Sequence, residues 1–194
     1  NYKNMIDIYD IQLSKYGAYI INKREEFINY LNNIGISIHR EITLNENICF
    51  KYDSNIKYGD NVQNCILESL RRNLKMDVER KTTLLGPHRD DFLIYINGID
   101  ARKFGSQGQQ RTAVLTIKLA ILNIVKEVIG EYPVLLLDDV LSELDKNRQK
   151  FILGSIKNIQ TLITCTGVEE ELTNYTKNES VKKFYVENGA IKEL

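Results

Sequence analysis

Two short stretches of the chain carry residue types that could do chemistry. One is Asp138-Asp139, a carboxylate pair ending the apolar run Val134 to Leu137, which Pro133 bounds on its other side. One carboxylate can hold Mg²⁺ directly or through water while the next orients or deprotonates an attacking water. Two acids after a strand can equally be no more than a polar loop. The other stretch is FGSQGQQR, Phe104 to Arg111, where Ser106 stands at a helix N-cap and Gln109 completes a capping box. Capping alone accounts for Ser106 and Gln109. It leaves Gly105 and Gly108 without a reason, because glycine in a helix costs about 1 kcal/mol relative to alanine. A bare backbone lets another group approach closely, and the N–H groups at the positive end of a helix suit an anion, most naturally a phosphate.

Each group needs an element to hold it. Ala113, Val114, Ile117, Ala120, Ile121, Ile124, Val125 and Val128 recur at helical steps and predict one buried stripe on a helix that Ser106 opens. Val134 to Leu137 predicts a strand covered on both faces in a parallel sheet, and ligands of such sheets gather at the carboxyl ends of strands. Asp145 is placed to cap a helix from Lys146 to Ile156, followed by an apolar strand, Thr161 to Thr164, that ends at Cys165-Thr166-Gly167. Upstream, GPHRDDF at Gly86 to Phe92 turns at Gly-Pro and leads into a predicted hairpin, Phe92 to Ile96 with Ile99 to Phe104, across Asn97-Gly98.

In order and wording these segments resemble a known family. FGSQGQQR followed by LLLDDVLSELD is similar to the signature motif, Walker B strand and D-loop of ATP-binding-cassette proteins. GPHRDDF narrows the resemblance to the RecF family of bacterial recombination-repair ATPases, relatives of the SMC-like proteins. It is close from Thr82 to Gly167 and looser elsewhere. It implies an ATP-driven homodimer in which Ser106 and the Gly108 N–H bind the γ-phosphate of ATP in trans, Gln107 and Gln109 supporting the turn. Asp138 would hold Mg²⁺ through water and Asp139 would position or activate the attacking water. Many relatives carry Glu at the second place, and the shorter Asp139 fits a slow switch. Ser142 and Asp145 would form the D-loop, with Asp145 crossing the dimer interface. Thr166 falls where many cassette ATPases have a γ-phosphate-sensing His, and can offer a hydrogen bond but no cation. His88 and Arg89 become candidates to touch nucleotide or the partner subunit, while the sequence alone explains them as well by a salt-bridged loop. The family implies work on gapped DNA at single/double-strand junctions, with RecR and RecO, in replication and recombinational repair.

The sequence holds no G-x-x-x-x-G-K-[ST]. The resemblance therefore implies the C-terminal part of a longer chain whose phosphate-binding loop lies upstream, with the part inactive as an ATPase by itself. A missing P-loop strand would leave an open edge beside Thr161 to Thr164, through which the chain would self-associate.

Composition narrows the classes further. Lys plus Arg and Asp plus Glu are both 26 among 194 residues, so no overall electrostatic footprint for nucleic acid exists. A local one could be Arg71, Arg72 and Lys75, on a helix predicted from Asp60 to Lys75. Cations at a helix C-terminus are also favoured by the dipole alone. Cys49, Cys65 and Cys165 are widely spaced and odd in number, which argues for a reducing compartment without a disulfide framework or metal site. No apolar run is long enough for a bilayer and no signal peptide is evident, so the expectation is a cytoplasmic protein without membrane contact.

At the start, Met5, Ile8, Leu13, Ile20, Ile28 and Leu31 keep helical spacing as far as Asn33, with Gly35 as terminator. The family resemblance makes this a projecting arm; an ordinary amphipathic helix fits equally. Ile36 to Tyr52 alternates and predicts two extended stretches broken at Asn45-Glu46-Asn47, with His39 solvated among charged neighbours. Val181 to Val186 and Ala190 to Ile191 predict a closing hairpin across Asn188-Gly189. The expected fold is α/β: a partial P-loop NTPase sheet of the cassette type with flanking helices and a helical N-terminal arm. Residues 1–81 would form the arm or insertion domain and 82–194 the C-terminal half of the head. The alternative function is a nucleotide-inert interaction or DNA-binding module of another SMC-like or ABC protein.

Overall fold

The first helix, α1 (Tyr2–Thr43), runs straight through Gly35. A Cβ at Gly35 would lie 3.0 Å from the Phe50 ring, so this glycine permits close packing of helix on strand and does not end the helix. The predicted strand through Ile36 to Leu44 is therefore replaced by helix. Ile34, Ile36 and Ile38 pack on the core from α1, and apolar alternation over so few residues fits either period. The helix stops at Leu44, whose φ of 67° is left-handed and whose N–H donates to the Arg40 carbonyl.

The computed structural model describes residues 2–166, 174 and 181–193 of an α/β chain. It divides into two compact units, Asn1–Ile124 and Val125–Leu194. In the first, β1 (Ile48–Asp53) pairs antiparallel with β2 (Asp91–Ile96), placing Phe50 opposite Ile94 and Tyr52 opposite Phe92. Ile48, Phe50 and Ile96 point into a core with Ile28 and Leu31 of α1 and with Ala113, Ala120 and Ile124 of a later helix. The side-chain amide of Asn32 gives the backbone of Phe50 the partner that a further strand would supply, accepting from its N–H and donating to its carbonyl, both at 2.8 Å. A second cluster, Ala18, Ile21, Ile56, Ile66 and Leu70, joins α1 to α2 (Val62–Arg80), which Asn61 caps.

Asn97 and Gly98 both take positive φ in the turn from β2 into β3 (Ile99–Asp100). The second strand is shorter than Ile99 to Phe104. The Asp100 carboxylate accepts from the N–H groups of Arg102 and Lys103 and thereby starts a short helix, α3 (Ala101–Phe104). Beyond it runs α4 (Gln107–Ile129). Its predicted stripe is only partly correct: Ala113, Ala120 and Ile124 are buried, but Val114 and Val128 are exposed while Leu115, Leu119 and Leu122 are covered. A helix buried over a broad arc has no single stripe for spacing to find.

In the second unit, β4 (Leu135–Asp138) pairs parallel with β5 (Thr161–Thr164), setting Asp138 opposite Thr164. The connection includes α5 (Lys146–Ser155), capped by Asp145. Coverage of β4 on both faces is not found. Leu135 and Leu137 are buried, whereas Leu136 is 66% exposed, because successive side chains point to opposite faces and one is open. The closing hairpin pairs β6 (Phe184–Glu187) with β7 (Ala190–Glu193). Gly167 lies outside the described residues.

Candidate functional site

The start of α4 is built as its sequence predicts. Gln109 N–H donates to Ser106 Oγ at 3.2 Å, and Ser106 N–H donates to Gln109 Oε1 at 3.0 Å, a complete capping box. Ser106 and Gln107 are exposed and Gly108 is half-buried. The amide of Gln109 also donates to Glu46 Oε1 at 2.7 Å, and Gln110 donates to the carbonyl of Ala101 at 3.0 Å. These bonds fix the turn from behind and leave the serine side of the helix terminus open.

At the strand end of the second unit, Asp138 and Asp139 are both exposed. Asp138 Oδ1 accepts from Thr164 Oγ1 at 2.5 Å, and Asp139 N–H donates to Thr164 Oγ1 at 3.0 Å. One hydroxyl thus orients the Asp138 carboxylate and holds the Asp139 backbone. Asp139 takes φ of 51°, and its carbonyl accepts from Ser142 Oγ at 2.8 Å. Asp145 accepts from the N–H groups of Asn147 and Arg148 and pairs with the Arg148 guanidinium at 3.1 Å. Thr166 sits exposed in the bend beyond β5. Thr164 is the residue that sequence reasoning missed, since only strand register brings it to Asp138.

The GPHRDDF segment is tied to the residues around it. Asp90 accepts from the Tyr52 hydroxyl, from Asn55 N–H at 2.8 Å and from Ser54 Oγ at 3.3 Å. Burial, and then the bond to Asp90, push the Tyr52 hydroxyl up to about 12. Arg24 donates to the Pro87 carbonyl at 2.5 Å, and His88 Nε2 lies 2.9 Å from the Thr83 carbonyl. Asp91 pairs with Arg102 at 2.8 Å. Arg89 is exposed. On α2, Arg71, Arg72 and Lys75 are exposed, with Arg71 3.7 Å from Asp7 and Arg72 donating to the Glu68 carbonyl.

His39 is not solvated: it is wholly buried, with Nδ1 2.9 Å from Thr116 Oγ1 and Nε2 3.6 Å from Glu46 Oε2. The charged neighbours that suggested exposure lie on other faces of α1. The three cysteines are free thiols. Among the described residues, no helix is long and apolar enough to cross a membrane, and no three His, Cys, Asp or Glu gather as a metal cage.

No family model matches the chain. Curated relatives do. The DNA replication and repair protein RecF of Clostridium botulinum (strain ATCC 19397 / Type A) is 58% identical over 192 residues, which is 98% of this chain and 52% of the relative. RecF of Clostridium perfringens (strain SM101 / Type A) is 57% identical over 190 residues, 97% of this chain and 52% of the relative. A solved structure described as the recombination mediator protein RecF-ATP in the RecFOR pathway superposes with a TM-score of 0.83 at 37% identity, covering 98% of this chain and 50% of that one. The chain thus spans about half the length of the relatives it matches. With identity this high along nearly all of it, and the fold shared, the chain belongs to the RecF family.

Proposed function

We propose that the chain is the signature-helix and Walker B part of a RecF-like DNA-repair ATPase whose dimer closes on ATP. The observation that carries this reading is the capped N-terminus of α4, where Ser106 and Gln107 are exposed beside Gly108 and the capping box occupies the Ser106 hydroxyl and the Gln109 carbonyl, an arrangement that suits an anion. The solved neighbours named as RecF with ATP lend it support. In the whole protein each such terminus binds the γ-phosphate held by the other subunit, so that ATP links two heads.

Asp138 and Asp139 then supply the chemistry of hydrolysis. Exposed carboxylates at Asp138 and Asp139, with no cage of three ligating residues among the described residues, fit an Mg²⁺ that keeps most of its waters. Asp138 is the residue that would hold it, and bound Mg²⁺ would neutralise charge developing on the phosphates. Asp139 orients the attacking water and accepts its proton. Asp145 and Ser142 shape the loop that meets the other subunit, Thr166 faces the same end of the sheet, and His88 and Arg89 flank the interface. Hydrolysis is slow, and the cycle serves a switch that recognises gapped DNA through contacts including Arg71, Arg72 and Lys75, with RecR and RecO as partners. The domain division proposed with it sets an arm at 1–81 against the head part at 82–194.

Light scattering of the whole protein with and without ATP tests the reading. ATP should dimerise the unmutated protein, and Ser106→Arg should bind ATP yet stay monomeric, because a bulky cation blocks closure. Equal dimerisation of both would reduce Ser106 to a helix cap.

A further inference from the structure

Behind the signature turn lies a group of polar residues that the proposed cycle does not use. Gln109 presents its carbonyl oxygen to the Ser106 N–H, so its amide nitrogen must face Glu46, to which it donates at 2.7 Å. Glu46 is held in turn. Its N–H donates to Thr43 Oγ1, and the next residue is anchored twice, Asn47 N–H donating to Asn97 Oδ1 at 2.9 Å and Asn97 N–H to the Asn47 carbonyl at 2.8 Å. The other carboxylate oxygen of Glu46 lies 3.6 Å from Nε2 of the buried His39.

The ring of His39 has a fixed orientation. Thr116 Oγ1 spends its proton on the Thr112 carbonyl at 2.9 Å, so it accepts from His39, and Nδ1 is the protonated nitrogen. Nε2 therefore faces Glu46, at ion-pair distance whenever the ring carries its second proton. Thr116 lies two turns beyond Gln109 on the same face of α4, about 10 Å along the axis. The end of α1 and the loop after it thus grip α4 at two points.

We propose that Glu46 is a positioning residue for the signature turn: it sets the rotation of the first turn of α4 and holds Gln109 inward, away from nucleotide. This rests on the trans-signature reading given above. Gln109 then serves the γ-phosphate only through Ser106, and the loop Leu44 to Asn47 is part of the dimerisation machinery.

A charge exchange in the whole protein tests it, with ATP-dependent dimerisation followed by light scattering and ATP binding by a fluorescent analogue. Gln109→Glu keeps the capping box, since Glu is also accepted there, but sets two carboxylates against each other. It should raise the protein concentration for half-dimerisation about tenfold, the scale of a like-charge clash at one contact, and leave ATP binding within the subunit unchanged. Adding Glu46→Gln to Gln109→Glu restores a donor and an acceptor and should restore dimerisation. Both variants should remain folded at the assay temperature, so that dimerisation and not the fold is lost; a single variant already unfolded there overturns the positioning role. Normal dimerisation by Gln109→Glu, or no recovery in the double variant, overturns the proposal. Ser106→Arg run alongside separates the failures: if it too dimerises normally, the trans reading is wrong as well, and if it does not, only the role of Glu46 is lost.

Discussion

Thr164 and Asp138 show how much a single residue can owe to a partner far away in sequence. Thr164→Val keeps the shape but removes the donor to Asp138 and the acceptor for the Asp139 N–H. Removing a group that holds a metal-binding side chain typically changes activity about 10–100-fold, so on the proposed reading kcat of the whole protein for ATP should fall by that order while ATP affinity holds. Thr164→Ser should recover most of it, and a loss of ATP binding instead would assign Thr164 to folding. Tyr52 offers a pH test. Its hydroxyl rises from 10.0 to about 12 in the fold, so the folded state favours the protonated form. The associated stability is fully present below the unfolded value and disappears as pH climbs through the folded one. Denaturant midpoints between those two pH values should fall more steeply for the unmutated protein than for Tyr52→Phe; parallel curves would contradict this. Legibility at this scale follows locality. Ser106, Gln109 and Asp145 act on backbone a few residues away and left their mark in the spelling of the sequence, whereas Thr164, Glu46 and His39 act across space and left none.

Among the elements, α1 is the clearest case of a right helix with a wrong end. Gly35 reads as a terminator by its type, but its meaning lies in the Phe50 ring opposite. Gly35→Val should therefore cost about 1–3 kcal/mol by overpacking, less than that when Phe50→Leu is present to make room. Urea unfolding of the single and double variants measures it, and an additive pair would place the strain elsewhere. The same logic explains the second half of the first hairpin. Asp100 as a cap outweighs a strand-like spacing from Ile99 onward, and a side-chain bond to two N–H groups is invisible to periodicity. The strand and helix of the second unit were legible almost to the residue, because Pro133, Asp145 and the apolar runs punctuate them. Only the covering of β4 was misjudged, since a wholly apolar run does not say which face will be open.

For the whole chain, β4 and β5 pair only with each other among the described residues, and Leu136 and Leu162 stand exposed on their open face. The chain alone should self-associate at high concentration, and Leu136→Lys with Leu162→Lys should suppress it. Sedimentation velocity checks this, and a monomer at every concentration would count against an open sheet. The family and the α/β class were legible in three motifs; the partner surfaces were not, since a balanced charge of 26 against 26 gives no direction. The central claim is that one subunit's signature helix serves the other's catalytic acids, and mixing two inactive variants of the whole protein tests it most directly. Ser106→Arg keeps its acids, and Asp139→Asn keeps its signature turn. Ser106→Arg subunits do not pair with one another, so such a subunit enters a dimer only beside Asp139→Asn, where one of the two sites is intact; the account predicts a mixture clearly more active than either variant alone, at no more than half the unmutated rate per dimer. A mixture no more active than its parts, with mixed dimers shown to form by tag pull-down, would contradict it.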